Sequence, residues 1–144
     1  GAYRSVNNGM STEYIKIYSD GTFKSNVSGN SGETILEIIC NGRIDNFSYD
    51  SNKEYSFNTA DTKLNDEADT TETRYINGNP VKVAHYDTVF NSNQKFRFFK
   101  VGTNPDTITD FDSYAYKYGV CYSGDTTDKR MIVTEDGDIY IEDF

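Results

Sequence analysis

Few residues in this chain are equipped for bond-making chemistry. There is one histidine, His85, and there are two cysteines, Cys40 and Cys121. A cysteine and a histidine can act together as nucleophile and base. The sequence around neither cysteine carries a pattern that pairs it with His85, so the histidine reads as a structural one. No Gly-x-Ser-x-Gly elbow, His-Glu-x-x-His helix or phosphate-binding loop is present. Carboxylates are plentiful but cluster in turns. Glu135-Asp136-Gly137-Asp138 is turn chemistry. Asp50-Ser51-Asn52-Lys53-Glu54 lacks the glycine and the distal glutamate of a calcium loop. Asp106, Asp110 and Asp112 can gather oxygens around a calcium ion, but a solvated loop is the default there. The expectation is a protein with no catalytic residues, no metal ligands and no cofactor.

The chemistry on offer is recognition. Residues 114–122 read YAYKYGVCY. In a strand, Tyr114, Tyr116, Tyr118 and Tyr122 share one face with Val120, and Ala115, Lys117, Gly119 and Cys121 share the other. Tyrosines combine an apolar ring with a hydroxyl, which suits a ligand cavity or a flat recognition face. They also serve as core residues, and both readings stand. Arg97 and Phe99, which share a face of their own strand, and Tyr86 are further ligand-binding candidates. Cys40 and Cys121 are either a possible disulfide, stabilising by roughly 4–5 kcal/mol for so long a loop, or two buried thiols.

The elements that must hold these residues are strands. With 144 residues the chain is read as one domain spanning 1–144. Tyr, Phe, Ile, Val and Thr are abundant, and leucine occurs only at 36 and 64. A net charge of −9 argues against nucleic acid and against anionic lipid surfaces as partners. No run approaches the ~18 apolar residues of a membrane helix. The clearest unit is a hairpin over residues 12–28, with Ile15 and Ile17 on one face and a type I′ turn at Asp20-Gly21. An opening strand precedes it at 1–5. A strand over 33–40 is preferred to a helix, with Leu36, Ile38 and Cys40 on one face. Asn41-Gly42 is expected to reverse the chain into a strand at 43–49. A further strand follows at 54–58, and residues 59–73 read as a long acidic surface connection. Residues 74–77 and 81–90 form a hairpin over a four-residue loop containing Gly78-Asn79-Pro80. Strands at 95–101, 114–122, 130–134 and 138–142 complete the count. Many short strands with regular turn signals make an all-β sandwich or barrel.

Gly1-x-Tyr3 followed by YIKIYSDGTFK (14–24) resembles the opening of lipocalin-like (calycin) domains of bacterial lipoproteins. There a Gly-x-Trp precedes a strand, an Asp-Gly-Thr turn and the next strand. The resemblance covers about the first thirty residues, and Tyr3 stands where the family has Trp. It implies an antiparallel meander closing into a lipocalin-like β-barrel with a cavity, the alternative being a β-sandwich. It also implies an extracytoplasmic place, at the cell surface or secreted, with a lipid anchor upstream of Gly1. The functional expectation is a non-catalytic binding module for a small apolar or amphipathic ligand in the barrel cavity. The alternative is a surface domain that recognises a protein or glycan through exposed tyrosines. The chain is expected to be a monomer.

Overall fold

A computed structural model describes residues 1–5, 11–51, 54–65, 68–85, 92–108, 126–135 and 137–143, without the side chains of Ser11, Ser31, Ser51 and Thr107. Ten strands are present among them: β1 (Ala2–Ser5), β2 (Ser11–Ile17), β3 (Thr22–Ser31), β4 (Thr34–Ser51), β5 (Glu54–Leu64), β6 (Thr70–Ile76), β7 (Asn79–His85), β8 (Lys95–Phe99), β9 (Met131–Thr134) and β10 (Ile139–Glu142). Each of β1 to β4 pairs antiparallel with the next, β5 pairs with β8, and β8, β9 and β10 follow in order. The register Tyr3↔Glu142 then joins β10 to β1. The sheet closes on itself as an antiparallel 8-strand barrel, so the sandwich alternative does not hold.

Closure follows from alternation. Each barrel strand turns one large buried residue inward: Tyr3, Ile15, Phe23, Cys40, Phe57, Phe96, Ile132 and Tyr140 form one cluster. Eight strands enclose a space about wide enough for such side chains to fill. The strands β8 to β10 are buried on their outer face as well, where Phe99, Met131, Val133, Ile139 and Ile141 pack with Ile108. That second layer explains why β9 and β10 read as unbroken apolar runs rather than alternating ones.

The β6–β7 hairpin is inserted between β5 and β8. It joins the barrel through β4, in parallel, from Thr34↔Lys82 to Glu37↔His85. β5 has left β4 by then, its last pair being Cys40↔Leu64. This hand-over is why β4 runs for 18 residues.

Several local expectations are corrected. Asn41-Gly42 does not turn: β4 passes straight through it, and Gly42 does not have a positive φ. The glycine is there for close approach. A Cβ at 42 would lie 2.6 Å from Phe23 Cε1 and 2.9 Å from the Ala60 carbonyl oxygen. The Asp20-Gly21 turn is not type I′, because only Gly21, at φ 84, is left-handed. Gly21 N–H donates to Tyr18 O, Tyr18 N–H donates to Thr22 O, and the Asp20 carboxylate accepts from Thr22 N–H and Oγ1. The result is a three-residue loop with glycine at the bulge. Residues 59–73 are not a long loop. β5 continues to Leu64 and β6 starts at Thr70, with Leu64 packed against the barrel core. Its threonines suit a strand, and Arg43 holds Asp61 across the ladder. The loop at 77–80 is tighter than expected. Ile76 pairs with Asn79, and Asn77 and Gly78 take φ 53 and 79, the signature of a type I′ turn.

Candidate functional site

The feature of most chemical interest is where β4 and β5 outrun the barrel. The last β3 pair is Thr22↔Arg43, and Ile44 N–H donates to Gly21 O. Beyond that point β4 has only β5 beside it among the described residues. Asn46, at φ 52, sits in a bulge that shifts the register between Asp45↔Asn58 and Ser48↔Ser56. An extra residue there re-aims the strand. Phe47 is thereby turned onto the inward face, stacked on Tyr55 at 5.2 Å and beside Phe57 at 6.3 Å. Tyr49 packs edge-on to Tyr55 at 5.2 Å. Tyr55 meets Phe98, which meets Tyr3, both at 6.2 Å.

These rings form a continuous row from core to solvent. Phe57 is 2% exposed, Phe47 is 58% and Tyr49 is 60%. A contiguous exposed apolar patch of this kind marks an interaction or ligand site. Charge frames it. Lys100 Nζ lies 5.0 Å over the Tyr55 ring, a cation–π contact. The Lys100 carbonyl accepts the hydroxyls of Thr103 at 2.7 Å and Thr127 at 3.2 Å, which fixes the backbone that carries this lysine. Near Tyr3, Arg130 clamps the buried Glu142 carboxylate through Nε and Nη2. Those bonds hold the Glu142 carboxyl below its ordinary range. Burial raises the Tyr3 phenol, with Arg130 opposing and Glu142 reinforcing. The arrangement can stack, desolvate and orient a ligand.

Deeper in the barrel, the Tyr140 hydroxyl donates to the Glu13 carboxylate. Burial, and then that bond, raise the Tyr140 phenol far above its ordinary value. Cys40 is fully buried, with no disulfide partner among the described residues. His85 lies on the outer side of the β4–β7–β6 sheet with Nε2 3.7 Å from Glu72 Oε1. Among the described residues no three His, Cys, Asp or Glu side chains gather as a metal site.

Of the residues singled out from sequence, Arg97 and Phe99 do share a face of β8, with Arg97 Cζ 5.1 Å from the Phe99 ring centroid. That face is the outer one. Phe99 is sealed in the second core and Arg97 pairs with Glu54 at 2.9 Å. The inward residues of β8 are Phe96 and Phe98. Tyr86, Tyr114, Tyr116, Tyr118, Tyr122 and Cys121 lie outside the described residues. The aromatic row itself was missed, although a signal was present. In NFSYDSNKEYSF the aromatics at 47, 49, 55 and 57 mirror one another about a turn, which places them face to face across a hairpin.

No family model matches the chain, and no curated protein or solved structure matches it.

Proposed function

We propose that this barrel is a lipocalin-like, extracytoplasmic, non-catalytic binding module. Its ligand is a small apolar or amphipathic molecule seated on the aromatic row at the barrel mouth. The observation that carries this reading is the exposure of Phe47 and Tyr49 on the inward face, continuous with buried Phe57. The barrel centre is occupied by its own side chains, so the ligand sits at the rim rather than deep inside. Lys100 gives the rim a cation to meet a polar or acidic head.

The test is a fluorescence titration with N-phenyl-1-naphthylamine, an apolar dye that brightens on leaving water. The chain has no tryptophan to interfere. One saturable site is expected, weakened roughly tenfold or more in the double variant Phe47→Ser, Tyr49→Ser, because each ring removes a large apolar contact. Unchanged dye binding by a folded double variant would place the site elsewhere. No binding by the parent would remove the reading.

A further inference from the structure

The barrel proper has no sheet edges, but the inserted hairpin creates one. β6 ends the sheet order, with β7 on one side and no strand on the other among the described residues. Five of its seven residues, Thr71, Glu72, Thr73, Tyr75 and Ile76, are exposed. Proteins usually protect such an edge with proline, with charged side chains, lysine above all, or with a bulge. β6 has no proline or lysine, its two charges, Glu72 and Arg74, are of opposite sign, and its register with β7 runs unbroken from Thr70↔His85 to Ile76↔Asn79.

The direction of its hydrogen-bonding groups follows from the turn. In a two-residue type I′ hairpin the flanking pair, Ile76 and Asn79, exchanges hydrogen bonds, and bonded pairs then alternate. Ile76, Arg74 and Glu72 therefore bond to β7. Tyr75 stands opposite Pro80, which has no N–H to give, in agreement with that alternation. Thr71, Thr73 and Tyr75 thus aim their backbone N–H and C=O groups at the open edge.

We propose that β6 pairs antiparallel with β6 of a second copy of this chain, with the two-fold axis at Thr73. The alternation allows few registers. Centring on Glu72 sets the two Glu72 side chains against each other, and centring on Arg74 does the same to the arginines. Centring on Thr71 or Tyr75 pairs only the ends. Centring on Thr73 pairs the full strand. It exchanges backbone bonds between the two Thr73 residues and between Thr71 and the second copy's Tyr75. It also sets Glu72 opposite the second copy's Arg74, in the non-bonded pairs where side chains come closest. Arg74 is held over this face by its bidentate contact with Glu37, 3.1 Å on each arm, and by Glu72 of its own strand, 2.7 Å from Nη2, so the pairing sets two such Glu72–Arg74 pairs side by side with opposite charges facing across the axis. One strand pair is a small interface, so the dimer is a weak, concentration-dependent one, in place of the expected monomer.

The test is sedimentation velocity on the full chain from about 10 μM to about 1 mM, a range that brackets weak association. The parent is expected to shift from monomer to dimer. Thr73→Pro removes an N–H that makes no bond to β7, and so leaves the hairpin intact. It should weaken the dimer roughly tenfold or more by breaking the central pair. Glu72→Lys should weaken it similarly by setting like charges across the axis; because it also gives up Glu72's contacts with Arg74 and His85 of its own chain, circular dichroism must show the variant folded as the parent is. A parent that stays monomeric overturns the proposal, including the case in which the edge takes a strand of another protein. So does a dimer that survives Glu72→Lys, which decides the matter if Thr73→Pro fails to fold.

Discussion

Gly42→Ala is the sharpest probe of how this barrel is packed. The added methyl would sit 2.6 and 2.7 Å from Cε1 and Cζ of Phe23 and 2.9 Å from the Ala60 carbonyl oxygen. Carbon pairs are at rest near about 3.5–4.0 Å, so something must move by roughly 1 Å. Phe23 has nowhere to go: it is buried among Tyr3, Ile15, Cys40 and Phe57. Ala60 is fixed in the ladder opposite Arg43. Overpacking of this kind costs about 1–3 kcal/mol. Replacing a strand glycine returns about 0.5–1 kcal/mol. The net expectation is a loss of roughly 1–2 kcal/mol, which lowers Tm by roughly 2–8 °C for a domain of this size. Near-ultraviolet circular dichroism of the tyrosines reports the melt. The decisive step is the cycle with Phe23→Leu. A smaller residue at 23 makes room, so most of the loss should vanish in the double variant. If Gly42 were a turn residue with positive φ, alanine would cost the same whatever stands at 23. An additive cycle, or an alanine variant as stable as the parent, would refute the argument.

Two further predictions concern ionisation. Arg130 bonds hold the Glu142 carboxyl below its unfolded value of 4.5, so the pair stabilises the fold above that pH and ceases to as pH falls through the depressed value. Arg130→Met should destabilise by about 1–3 kcal/mol at pH 7, less than for a fully buried pair because the Arg130 side chain is 46% exposed. In urea titrations the gap to the parent should close below pH 4.5; a gap independent of pH would show that the loss is one of packing. Tyr140 and Tyr3 have phenols raised above the unfolded value of 10.0, so their contribution is complete below pH 10 and is lost as pH rises. Ultraviolet difference titration should show the Tyr140 phenol ionising only as the barrel unfolds and the Tyr3 phenol ionising above its ordinary range, and Tyr140→Phe should remove one phenol from the unfolding step. Ionisation of Tyr140 in the intact fold would contradict the buried placement of the Tyr140–Glu13 bond.

The all-β architecture was legible because its signal is spread over many residues. Alternation at Ile15 and Ile17 and at Leu36, Ile38 and Cys40 marks strand faces to be buried, which a sandwich or a barrel can do; closure into a barrel was implied only by the resemblance of the opening hairpin. Arg97 and Phe99 were placed on a common face correctly, but a period of two does not say which face is inside when both are buried, as on β8 to β10. The continuation of β5 beyond Asn58 was hidden for the opposite reason. Thr59, Asp61 and Lys63 carry little hydrophobic contrast, and the strand is held by its ladder to β4 and by Leu64. The mirrored aromatics at 47, 49, 55 and 57 announce a packed row, but its inward facing needed a bulge at Asn46 that no residue pattern announces. Without that bulge, Phe47 would fall in phase with Asp45, on the outside.

The same dipeptide behaves in two ways in this chain, and the contrast shows what decides. Asn77-Gly78 makes a type I′ turn, while Asn41-Gly42 lies flat within β4. The turn preference of Asn-Gly is a local one. At 77–78 little opposes it, since Tyr75 and Ile76 on the approach are exposed. At 41–42 a reversal would break the register by which all ten residues of β3 pair with β4. It would also uncover Phe23, whose burial alone is worth roughly 1.5–3 kcal/mol. The inward period of two runs through Leu36, Ile38, Cys40, Gly42 and Ile44 without losing phase, and the glycine falls where the ring of Phe23 takes the place of a side chain. A turn dipeptide that keeps the phase of the strands on either side is thus the mark of a strand that continues. One that stands between strands ending in solvent is the mark of a hairpin.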